Sequence, residues 1–381
     1  MTIRRRQVQY HAFIHSPGAN GGPGQLRLDL TPDMLYCTWQ RSMNLGGAAS
    51  FTLVRGSSKV ADIAPHRDHL FLYRESPADT RLVWQGKVGS RNIAAGDVVF
   101  RCLDYTSYLQ RSRTGWKTLY PTKKIGTEII SPEWALVLAT ADGPLNFVTA
   151  GTIEDPLAVD DVTPITTNAR FGMMAFERLF VFFALAEMGM ANTTNNVVFE
   201  ITVDPTTPTF NLWKNRSVDR STFALYFPGN LRAFNYDPGE LDVTNDLASV
   251  IKKAAGGSEL YSVDDAASIA LYRRLQAAVT IQTLMGLDTS AIESDQQKAA
   301  LARLLRDSIR LPRLFIALPR YGEVDPFNGW NLGDNFPVVI EKAGAPDTDE
   351  LAQYLRCISI AAAWTPEAGE QLQLFMRAKE T

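Results

Sequence analysis

Alternation of apolar and polar residues dominates the first hundred positions of the chain. Leu26–Leu30 alternates strictly, which places one face of a strand on a core and the other in solvent. Short apolar-rich segments separated by turn residues follow it and predict further strands. They are Met34–Trp39, Ala49–Val54, His69–Arg74, Leu82–Val88 and Val98–Leu103. This close spacing, ending in a short helix at about Tyr105–Arg111, predicts an antiparallel barrel or sandwich over residues 1–110.

Residues 111–229 follow a different pattern and are predicted to form an insert. Residues 112–167 are rich in Thr, Pro and Gly and have few periodic segments, which is typical of loops. Residues 168–191 are apolar nearly all round a helical axis, with Phe171 and Phe180 among them. Such a helix is expected to be buried on several sides. Short strands are predicted to complete the insert.

Residues 230–381 return to strands and are predicted to form a second barrel. Leu231–Tyr236 and Thr244–Ala254 suggest an antiparallel pair. Ser290 and Glu293 form a capping box at the start of a helix predicted over 291–309. The chain closes with a hairpin over Tyr354–Ala378, which resembles the hairpin over Leu82–Leu103. The fold class is therefore mainly β with α insertions (α+β), with two similar barrels flanking the insert.

Composition and charge exclude some classes of protein. The 381 residues carry 38 Lys and Arg against 41 Asp and Glu, a net charge of −3. A dedicated nucleic-acid-binding protein normally has a basic excess. The three cysteines, Cys37, Cys102 and Cys357, are widely spaced, which predicts buried thiols rather than a zinc or redox motif.

The histidines are the first candidates for metal ligands. His66 and His69 are three apart, and His11 and His15 are four apart on a predicted strand. On a strand the first spacing puts the imidazoles on opposite faces. His11 and His15 are expected to share a face only weakly, and no acidic third ligand has a recognisable spacing. His66 and His69 are expected to be solvated loop residues, and no metal site is predicted.

The remaining motifs do not predict an active site. Gly18–Gly24 is rich in glycine but lacks the Lys-Ser/Thr ending of a phosphate loop, so a flexible loop tip is expected. Asp160–Asp161 and Asp264–Asp265 are adjacent acids, which point to opposite faces of a strand and form no catalytic dyad. No GxSxG nucleophile elbow occurs. We predict no catalytic, cofactor-binding or metal-binding residues, no cofactor and no enzymatic activity.

No targeting or membrane segment is expected. The basic N-terminus is followed by a polar stretch, unlike a signal peptide. The most apolar segment, Phe171–Ala191, contains Glu177, Arg178 and Glu187 and has no uncharged stretch of the ~20 residues that a membrane span needs. No stable membrane anchor is predicted.

Several short segments recur in a recognisable order along the chain. They are Trp39–Asn44, Ala49–Leu53, Asp68–Arg74, Leu82–Val88, Phe227–Leu231, Asp242–Asp246, Tyr272–Arg274, the helix around Ala299–Leu305, and Gly333–Asp334. This order resembles that of tail-tip (baseplate) hub proteins of long-tailed bacteriophages of the siphovirus type. The match covers most of the chain, about residues 40–105 and 220–380. Residues 112–167 depart from the family pattern.

The resemblance implies two tail-tube-like antiparallel β-barrels and a structural role. Three subunits, each supplying two barrels, would form a hub ring joining the sixfold tail tube to a threefold tip, as part of the channel for DNA ejection. The implied partners are a distal tail protein or the tail tube above, tip or receptor-binding proteins below, and a tape-measure protein in the lumen. DNA would be present only in transit. A trimer would carry a charge of −9, which disfavours adhesion of DNA.

The implied location is the virion tail tip, after synthesis in the bacterial host cytoplasm. Two alternatives remain at this point. One is a distal-tail ring protein, which would be sixfold. The other is a tail module that binds or hydrolyses cell-wall glycan.

Overall fold

The computed structural model describes most of the predicted strands and part of the insert. The described residues are 8–77, 79–93, 96–110, 123–125, 128–130, 147–153, 198–202, 208–213, 218–220, 223–237, 243–252, 257–279, 298, 301–302, 304–305, 314–319, 331–342 and 345–379.

Seven strands form within the first 110 residues, in agreement with the alternating pattern. They are β1 (Gln9–Pro17), β2 (Pro23–Asp29), β3 (Met34–Ser42), β4 (Leu45–Val54), β5 (His69–Glu75), β6 (Thr80–Ile93) and β7 (Asp97–Asp104). Along β4 every second residue from Gly47 to Leu53 is buried, as period-two alternation requires. Three short helices join or follow these strands: the 3-10 helices Thr31–Asp33 and Thr106–Gln110 and the α-helix Lys59–Asp62.

The described part of the insert adds two small sheets. The first is the hairpin β8 (Lys123–Ile125) and β9 (Glu128–Ile130), and the second contains β10 (Thr149–Ile153), β11 (Val198–Thr202) and β12 (Thr209–Trp213). The predicted buried helix over 168–191 lies outside the described residues.

From residue 225 onward, the described residues contribute nine strands. They are β13 (Leu225–Phe227), β14 (Leu231–Asp237), β15 (Asp246–Lys252), β16 (Ser258–Asp264), β17 (Gln276–Ala278), β18 (Leu314–Pro319), β19 (Asn335–Lys342), β20 (Ala345–Thr365) and β21 (Gly369–Ala378). An α-helix occupies Ala266–Tyr272. Of the helix predicted over 291–309, the described positions Lys298, Leu301, Ala302, Leu304 and Leu305 are helical.

The predicted pairing of Leu231–Tyr236 with Thr244–Ala254 is wrong. β14 pairs with β18, while β15 pairs with β16 and β17 in a separate three-stranded sheet. The physical reason is that residues 238–313 interrupt the hairpin that β14 and β18 form. Local sequence order therefore suggested the next strand along the chain, although the partner of β14 lies beyond this insertion.

One large, mainly antiparallel sheet organises the molecule. Thirteen strands join in it, with the path β14-β18-β21-β20-β3-β4-β7-β6-β5-β1-β2, and β19 and β13 attached beside β20. Strands from before and after the insert meet where β20 pairs with β3. The mainly-β fold with antiparallel sheets is thus confirmed. The division at 1–110, 111–229 and 230–381 stays a prediction.

One hydrophobic core lies under this sheet. Its largest fully buried side chains come from both ends of the chain and include Trp39, Phe51, Trp84 and Phe315. Phe51 and Phe100 stack in it with ring centroids 4.8 Å apart. Burial of aromatic side chains of this size supplies much of the hydrophobic stabilisation.

Five strands of the sheet occur twice with the same pairing. We call β3, β4, β5, β6 and β7 the first unit, and β14, β18, β19, β20 and β21 the second unit, with strands corresponding in that order. The sheet order is β3-β4-β7-β6 in the first unit and β14-β18-β21-β20 in the second. β5 pairs with the early half of β6, and β19 pairs with the early half of β20.

Register and irregularities repeat as well. A break in pairing falls between Met34 and Tyr36 in β3 and between Leu231 and Ala233 in β14. A second break skips Gly89 in β6 and Ile358 in β20. A bulge changes the direction of a strand at a fixed residue. Because the bulges occur at corresponding positions, they align the two units residue by residue.

A buried aspartate marks the same place in each unit. Asp68 precedes β5 and Asp334 precedes β19, and both side chains are almost inaccessible to solvent. The carbonyl oxygen of Asp68 accepts from the backbone N–H of Val88 at 2.9 Å, and that of Asp334 accepts from Cys357 at 2.9 Å. The units therefore share a buried Asp with the same backbone hydrogen bond, and not only strand order.

Candidate assembly interface

One face of the main sheet lies outside the core and is lined by small or polar side chains. Consecutive strands from β7 to β21 place Arg101, Ser50, Thr38, Ala363 and Gln371 in one cross-strand row. Thr38 and Ser50 share a hydrogen bond of 2.7 Å between their hydroxyls. We call this surface the open face.

A second row runs beside the first. It contains Leu103, Ala48, Gln40, Ala361 and Gln373. The two rows line a shallow groove of about 440 Å³ that crosses the junction of the two units. Within these rows Arg101 is the only charged residue, so the groove is polar but close to neutral.

The junction of the units is a strand pairing that we call the seam. It runs from Ser359 opposite Ser42 to Trp364 opposite Cys37. On the open face, the hydroxyls of Ser42 and Ser359 are 2.8 Å apart, and Gln40 Nε2 donates to Ser359 Oγ at 3.1 Å. Side-chain hydrogen bonds thus reinforce the backbone ladder.

On the core side, a buried ion pair spans the units. Arg74 Nε and Nη2 donate to the two carboxylate oxygens of Glu370 at 2.8 and 2.9 Å, and both side chains are about 5% exposed. Tyr10 donates to Glu370 Oε1 at 2.6 Å, and Trp39 Nε1 donates to the Tyr10 oxygen at 3.0 Å. Burial, then the Glu370 charge, raises the pKa of Tyr10 well above its usual value. We call Tyr10, Trp39, Arg74 and Glu370 the seam clamp.

The two outer ends of the eight-strand path from β14 to β6 carry open edges. The early half of β6 pairs with β5, while Val88–Ile93 pairs only with β7 among the described strands. In the second unit, the corresponding edge of β20 is covered by β3. Ile93 is 56% exposed, whereas Ala362, its counterpart on β20, is 5% exposed.

At the other end of this path, β14 pairs with β18 and with no other strand in the described part of the chain. Exposed strand edges offer unpaired backbone donors and acceptors, and proteins normally cover them or use them for assembly.

The expectation that His69 is a solvated loop residue is wrong. His66 is exposed in a turn, as expected, but His69 is fully buried at the start of β5. Its Nδ1 lies 2.8 Å from the Tyr105 hydroxyl. Burial and the charge of Lys87 lower the pKa of His69 to about 3, so it is neutral at physiological pH. The turn ends at Asp68, and His69 therefore belongs to the sheet rather than to the loop.

His11 and His15 lie on the same face of β1, contrary to the expectation, because residues four apart on a strand point the same way. They nevertheless do not converge on a shared ligand. His11 Nε2 lies 2.8 Å from Glu75 Oε2. The ring of His15 stacks on Phe71 with centroids 4.1 Å apart, and its Nδ1 lies 3.0 Å from the carbonyl oxygen of Gly24. Among the described residues, no group of three or more His, Cys, Asp or Glu side chains could hold a metal ion.

The other candidates occupy structural positions. Within Gly18–Gly24, residues 18–22 connect β1 to β2, with Gly21 at φ 80°, and Pro23 and Gly24 begin β2. Asp264 pairs with Arg274, while Asp265 caps the helix Ala266–Tyr272 by accepting from Ser268 N at 2.7 Å. Asp160 and Asp161 lie outside the described residues.

Cys37, Cys102 and Cys357 are buried free thiols, as predicted. Burial raises the pKa of Cys357 to about 12, so its thiol stays protonated. No helix in the described ranges has the length and apolarity needed to cross a bilayer.

Asp104 is an ionisable group with a constrained carboxyl beside the groove. Its Oδ2 accepts from the backbone N–H of Gly47 at 2.6 Å, and its Oδ1 accepts from the backbone and hydroxyl of Ser107 at 2.8 and 2.7 Å. Burial of the carboxyl raises its pKa from 3.8 to about 6, against the lowering effect of these hydrogen bonds.

This shift predicts a pH-dependent stability. Because the folded-state pKa is above the unfolded-state value, this carboxyl lowers the free energy of unfolding as pH rises from 3.8 to about 6. The full effect is at most about 3 kcal/mol. Urea unfolding of wild type and Asp104→Asn at pH 4.5 and 7 should show the variant gaining relative stability at pH 7. A difference between the two proteins that does not change with pH would contradict this assignment.

Comparison with known proteins supports the fold. A tail protein from Neisseria meningitidis MC58 superposes with a TM-score of 0.60 at 10% identity, covering 97% of each chain. The 43 kDa tail protein of prophage MuSo2 from Shewanella oneidensis gives 0.60 at 12% identity, covering 97% of this chain and 98% of that one. A prophage tail protein from Listeria monocytogenes EGD-e gives 0.54 at 9% identity, covering 97% and 95%.

These likenesses confirm the sequence resemblance to phage tail proteins at the level of the fold. No protein-family model matches the sequence, and no curated protein matches it significantly.

Sequence reasoning did not find the open face or the seam clamp. The signal for the open face was present in β3 and β4, where Thr38, Gln40, Ala48 and Ser50 alternate with buried residues. Pairing of β3 with β20 joins positions more than 300 residues apart, and no local pattern indicates it.

Proposed function

We propose that this protein is a structural component of a phage tail tip, a hub ring of three copies that joins the sixfold tail tube to a threefold tip. The observation that carries the proposal is the repeat of one five-strand unit within a tail-protein fold. Two similar units in each of three copies give six similar positions around an axis. Such a ring can match a sixfold neighbour on one side and a threefold neighbour on the other.

The open edges supply the contact between copies. If the seam between β20 and β3 is repeated between copies, the late half of β6 pairs with β14 of the next copy. The seam pairs Ala361 with Gln40 and Ala362 with Trp39. The corresponding contact between copies puts Asn92 opposite Asp237, and Ile93 opposite Tyr236.

This pairing would close the sheet. Each copy contributes the eight strands from β14 to β6, so three copies make a ring of 24 strands with no open edge along it. Closure satisfies the edge donors and acceptors, and it buries Ile93 as Ala362 is buried at the seam.

The open face then lines the channel. The opposite face carries the core and the covering strands β1, β2, β5, β13 and β19. This face lies on the outside of the ring, because the covering strands need the larger circumference there. The described rows of the open face are uncharged except for Arg101. Apart from Arg101, these rows consist of uncharged side chains, which give a passing polyanion few points of adhesion, because phosphate contacts dominate protein–DNA affinity.

The remaining roles follow from this position. The distal tail protein or tail tube lies above the ring, tip or receptor-binding proteins lie below it, and the tape-measure protein occupies the lumen before DNA passes. The protein acts by assembly and not as an enzyme, and its location is the virion tail tip.

Cross-linking between introduced cysteines tests the contact. We expect Asn92→Cys/Asp237→Cys, treated with a short bis-maleimide, to give covalent dimers and trimers, because opposed residues on antiparallel strands have Cβ atoms about 5 Å apart. The matched control, Gln40→Cys/Ala361→Cys, should give only an internally linked monomer, since its pair lies across the seam of one chain.

Each single variant should stay monomeric on a denaturing gel, because Cys37, Cys102 and Cys357 are buried. A control pair that links while the test pair yields no species above the monomer would refute the proposed contact.

A further inference from the structure

Two residues of the insert dock on the main sheet, one on each unit. Phe147 contacts the first unit, and Asp219 contacts the second unit. The repeat of the unit allows the two docking sites to be compared position by position.

Phe147 occupies what we call the aromatic site, formed by His69, Lys87 and Tyr105. Its ring centroid lies 5.1 Å from that of Tyr105 and 6.1 Å from that of His69, with an edge-to-face geometry in both pairs. The Nζ atom of Lys87 lies 5.3 Å from the centre of the same ring. Phe147 is only 5% exposed, so this site buries the ring and also holds it by aromatic and cation–π contacts.

The connection between β1 and β2 closes the aromatic site at Gly22. A Cβ atom on Gly22 would lie 2.6 Å from the Cβ atom of Phe147 and 2.7 Å from its Cγ atom. A glycine therefore allows the backbone to approach the phenylalanine more closely than any other residue would.

Asp219 occupies what we call the charged site, formed by Asn335 and Lys379. Its Oδ1 accepts from Asn335 Nδ2 at 2.8 Å, and its Oδ2 accepts from Lys379 Nζ at 2.6 Å. The backbone N–H of Asn335 donates to the carbonyl oxygen of Val218, and that of Arg220 donates to the carbonyl oxygen of Asn335, both at 2.9 Å. Side-chain and backbone bonds therefore hold this segment to the start of β19.

The two sites lie at corresponding positions of the repeated unit. His69 and Asn335 each follow the buried aspartate that marks the unit. Tyr105 follows the end of β7, and Lys379 follows the end of β21, which is the strand that corresponds to β7. The same two positions thus receive the insert in both units, although their side chains differ.

We propose that the insert ties the two units together independently of the seam, with Phe147 as its anchor on the first unit and Asp219 as its anchor on the second. A phenyl ring at position 219 would remove the acceptor of Lys379 and Asn335. The difference in chemistry therefore assigns each anchor to its own unit. This tie lies within one copy and does not depend on the number of copies in the ring.

Amide hydrogen exchange of the full-length protein tests the anchor on the first unit. We expect Phe147→Ala to speed exchange over residues 147–153 and 208–213 by roughly tenfold or more, because it empties a buried site. Exchange over residues 218–220 should stay at the wild-type rate. Phe147→Leu keeps the apolar volume and should give a smaller local effect.

Gly22→Ala empties the same site without changing the insert. Its Cβ would displace the Phe147 ring, so exchange over residues 147–153 should rise as it does in Phe147→Ala. Gly56→Ala is the matched control, because a Cβ there meets nothing within 4 Å. Identical exchange over 147–153 in these two glycine variants would contradict the close contact at Phe147.

The anchor on the second unit is ionic and should respond to salt. The hydrogen bond from Lys379, and then that from Asn335, lowers the pKa of Asp219, so its carboxylate is charged at neutral pH. Asp219→Asn should speed exchange in peptides covering residues 218–227 by roughly two- to fivefold, the range expected for a partly exposed ion pair. Salt at about 1 M should do the same to wild type, because it screens such a pair, and should change the variant little.

Asp97→Asn is the matched control for this substitution, since Asp97 is an exposed aspartate at the start of β7. It should leave exchange over residues 218–227 unchanged. An Asp219→Asn protein that exchanges there at the wild-type rate would remove Asp219 as an anchor.

The double variant Phe147→Ala/Asp219→Asn tests the tie itself. Release of both anchors lowers the effective concentration of one unit at the other. We expect the seam amides of residues 38–42 and 359–363 to exchange severalfold faster relative to those of residues 48–54, which pair with β7 inside the first unit. Unchanged seam exchange would overturn the tie. An equal acceleration at the seam and within the first unit would also overturn it, because the substitutions would then act on the whole fold.

Discussion

Replacing Glu370 by Ala is expected to destabilise the protein by about 3–5 kcal/mol, among the largest effects of any single change. The substitution leaves Arg74 buried at about 5% exposure without its bidentate carboxylate, and it removes the acceptor of the Tyr10 hydroxyl. An uncompensated buried charge costs this much because the lost solvation is no longer offset by the ion pair. Urea denaturation followed by tryptophan fluorescence measures the change.

Two variants make that result specific. Asp264→Ala breaks one bond of an exposed pair with Arg274 and should cost less than about 1 kcal/mol. Arg74→Met/Glu370→Leu removes both charges and should regain most of the stability lost in Glu370→Ala. If Glu370→Ala costs no more than Asp264→Ala, the seam clamp does not hold the two units together.

Replacing Gly86 by Ala is expected to cost about 3 kcal/mol. A Cβ at this position would overlap the carbonyl oxygen of Leu103 and lie 2.8 Å from the Cα of Asp104. These are backbone atoms, so the strand itself must shift, and overpacking of this kind is destabilising. Gly86 is also the first residue of β6 that pairs with β7, and it pairs with β5 on its other side.

Gly96→Ala is the matched control for this change. A Cβ there meets nothing within 4 Å. Its thermal midpoint should stay close to that of wild type, while Gly86→Ala should unfold several degrees earlier. In the background of the Asn92→Cys/Asp237→Cys protein, Gly86→Ala should also reduce the yield of cross-linked dimers and trimers. Equal midpoints for the two variants would show that β6 tolerates a side chain at position 86.

Local pattern predicted most of the first unit. Short apolar-rich segments separated by turn residues predicted β3 to β7, and β4 has the alternating burial of a strand with one face on the core. The closing hairpin β20–β21 was predicted for the same reason. The short helix after β7 was also expected and is the 3-10 helix Thr106–Gln110.

Long-range pairing could not be predicted in this way. β14 pairs with β18, which follows it only after residues 238–313, and β3 pairs with β20, which lies near the other end of the chain. Hydrogen-bonded pairing leaves no local trace in sequence, since any strand edge of suitable length can serve. The repeat was suspected from two similar hairpins, and the matching breaks in strand pairing, such as those at Gly89 and Ile358, align the units residue by residue.

The candidate site was hidden for a related reason. Its residues are small and polar, such as Ser50, Thr38 and Ala363, and singly they indicate only a solvated strand face. They become a surface through the seam. The opposite error was made for His69, which was expected in solvent because it lies beside a turn. It is buried, as is the adjacent Asp68, at the start of β5.

Electron microscopy of the purified protein tests the proposed ring most directly. We predict a ring of three copies, with a mass three times 42.2 kDa, in which 24 strands surround a channel and β6 of each copy pairs with β14 of the next. A ring of six copies would contradict this account. A protein that stays monomeric, with unpaired β6 and β14 edges, at the concentrations at which tails assemble would also contradict it.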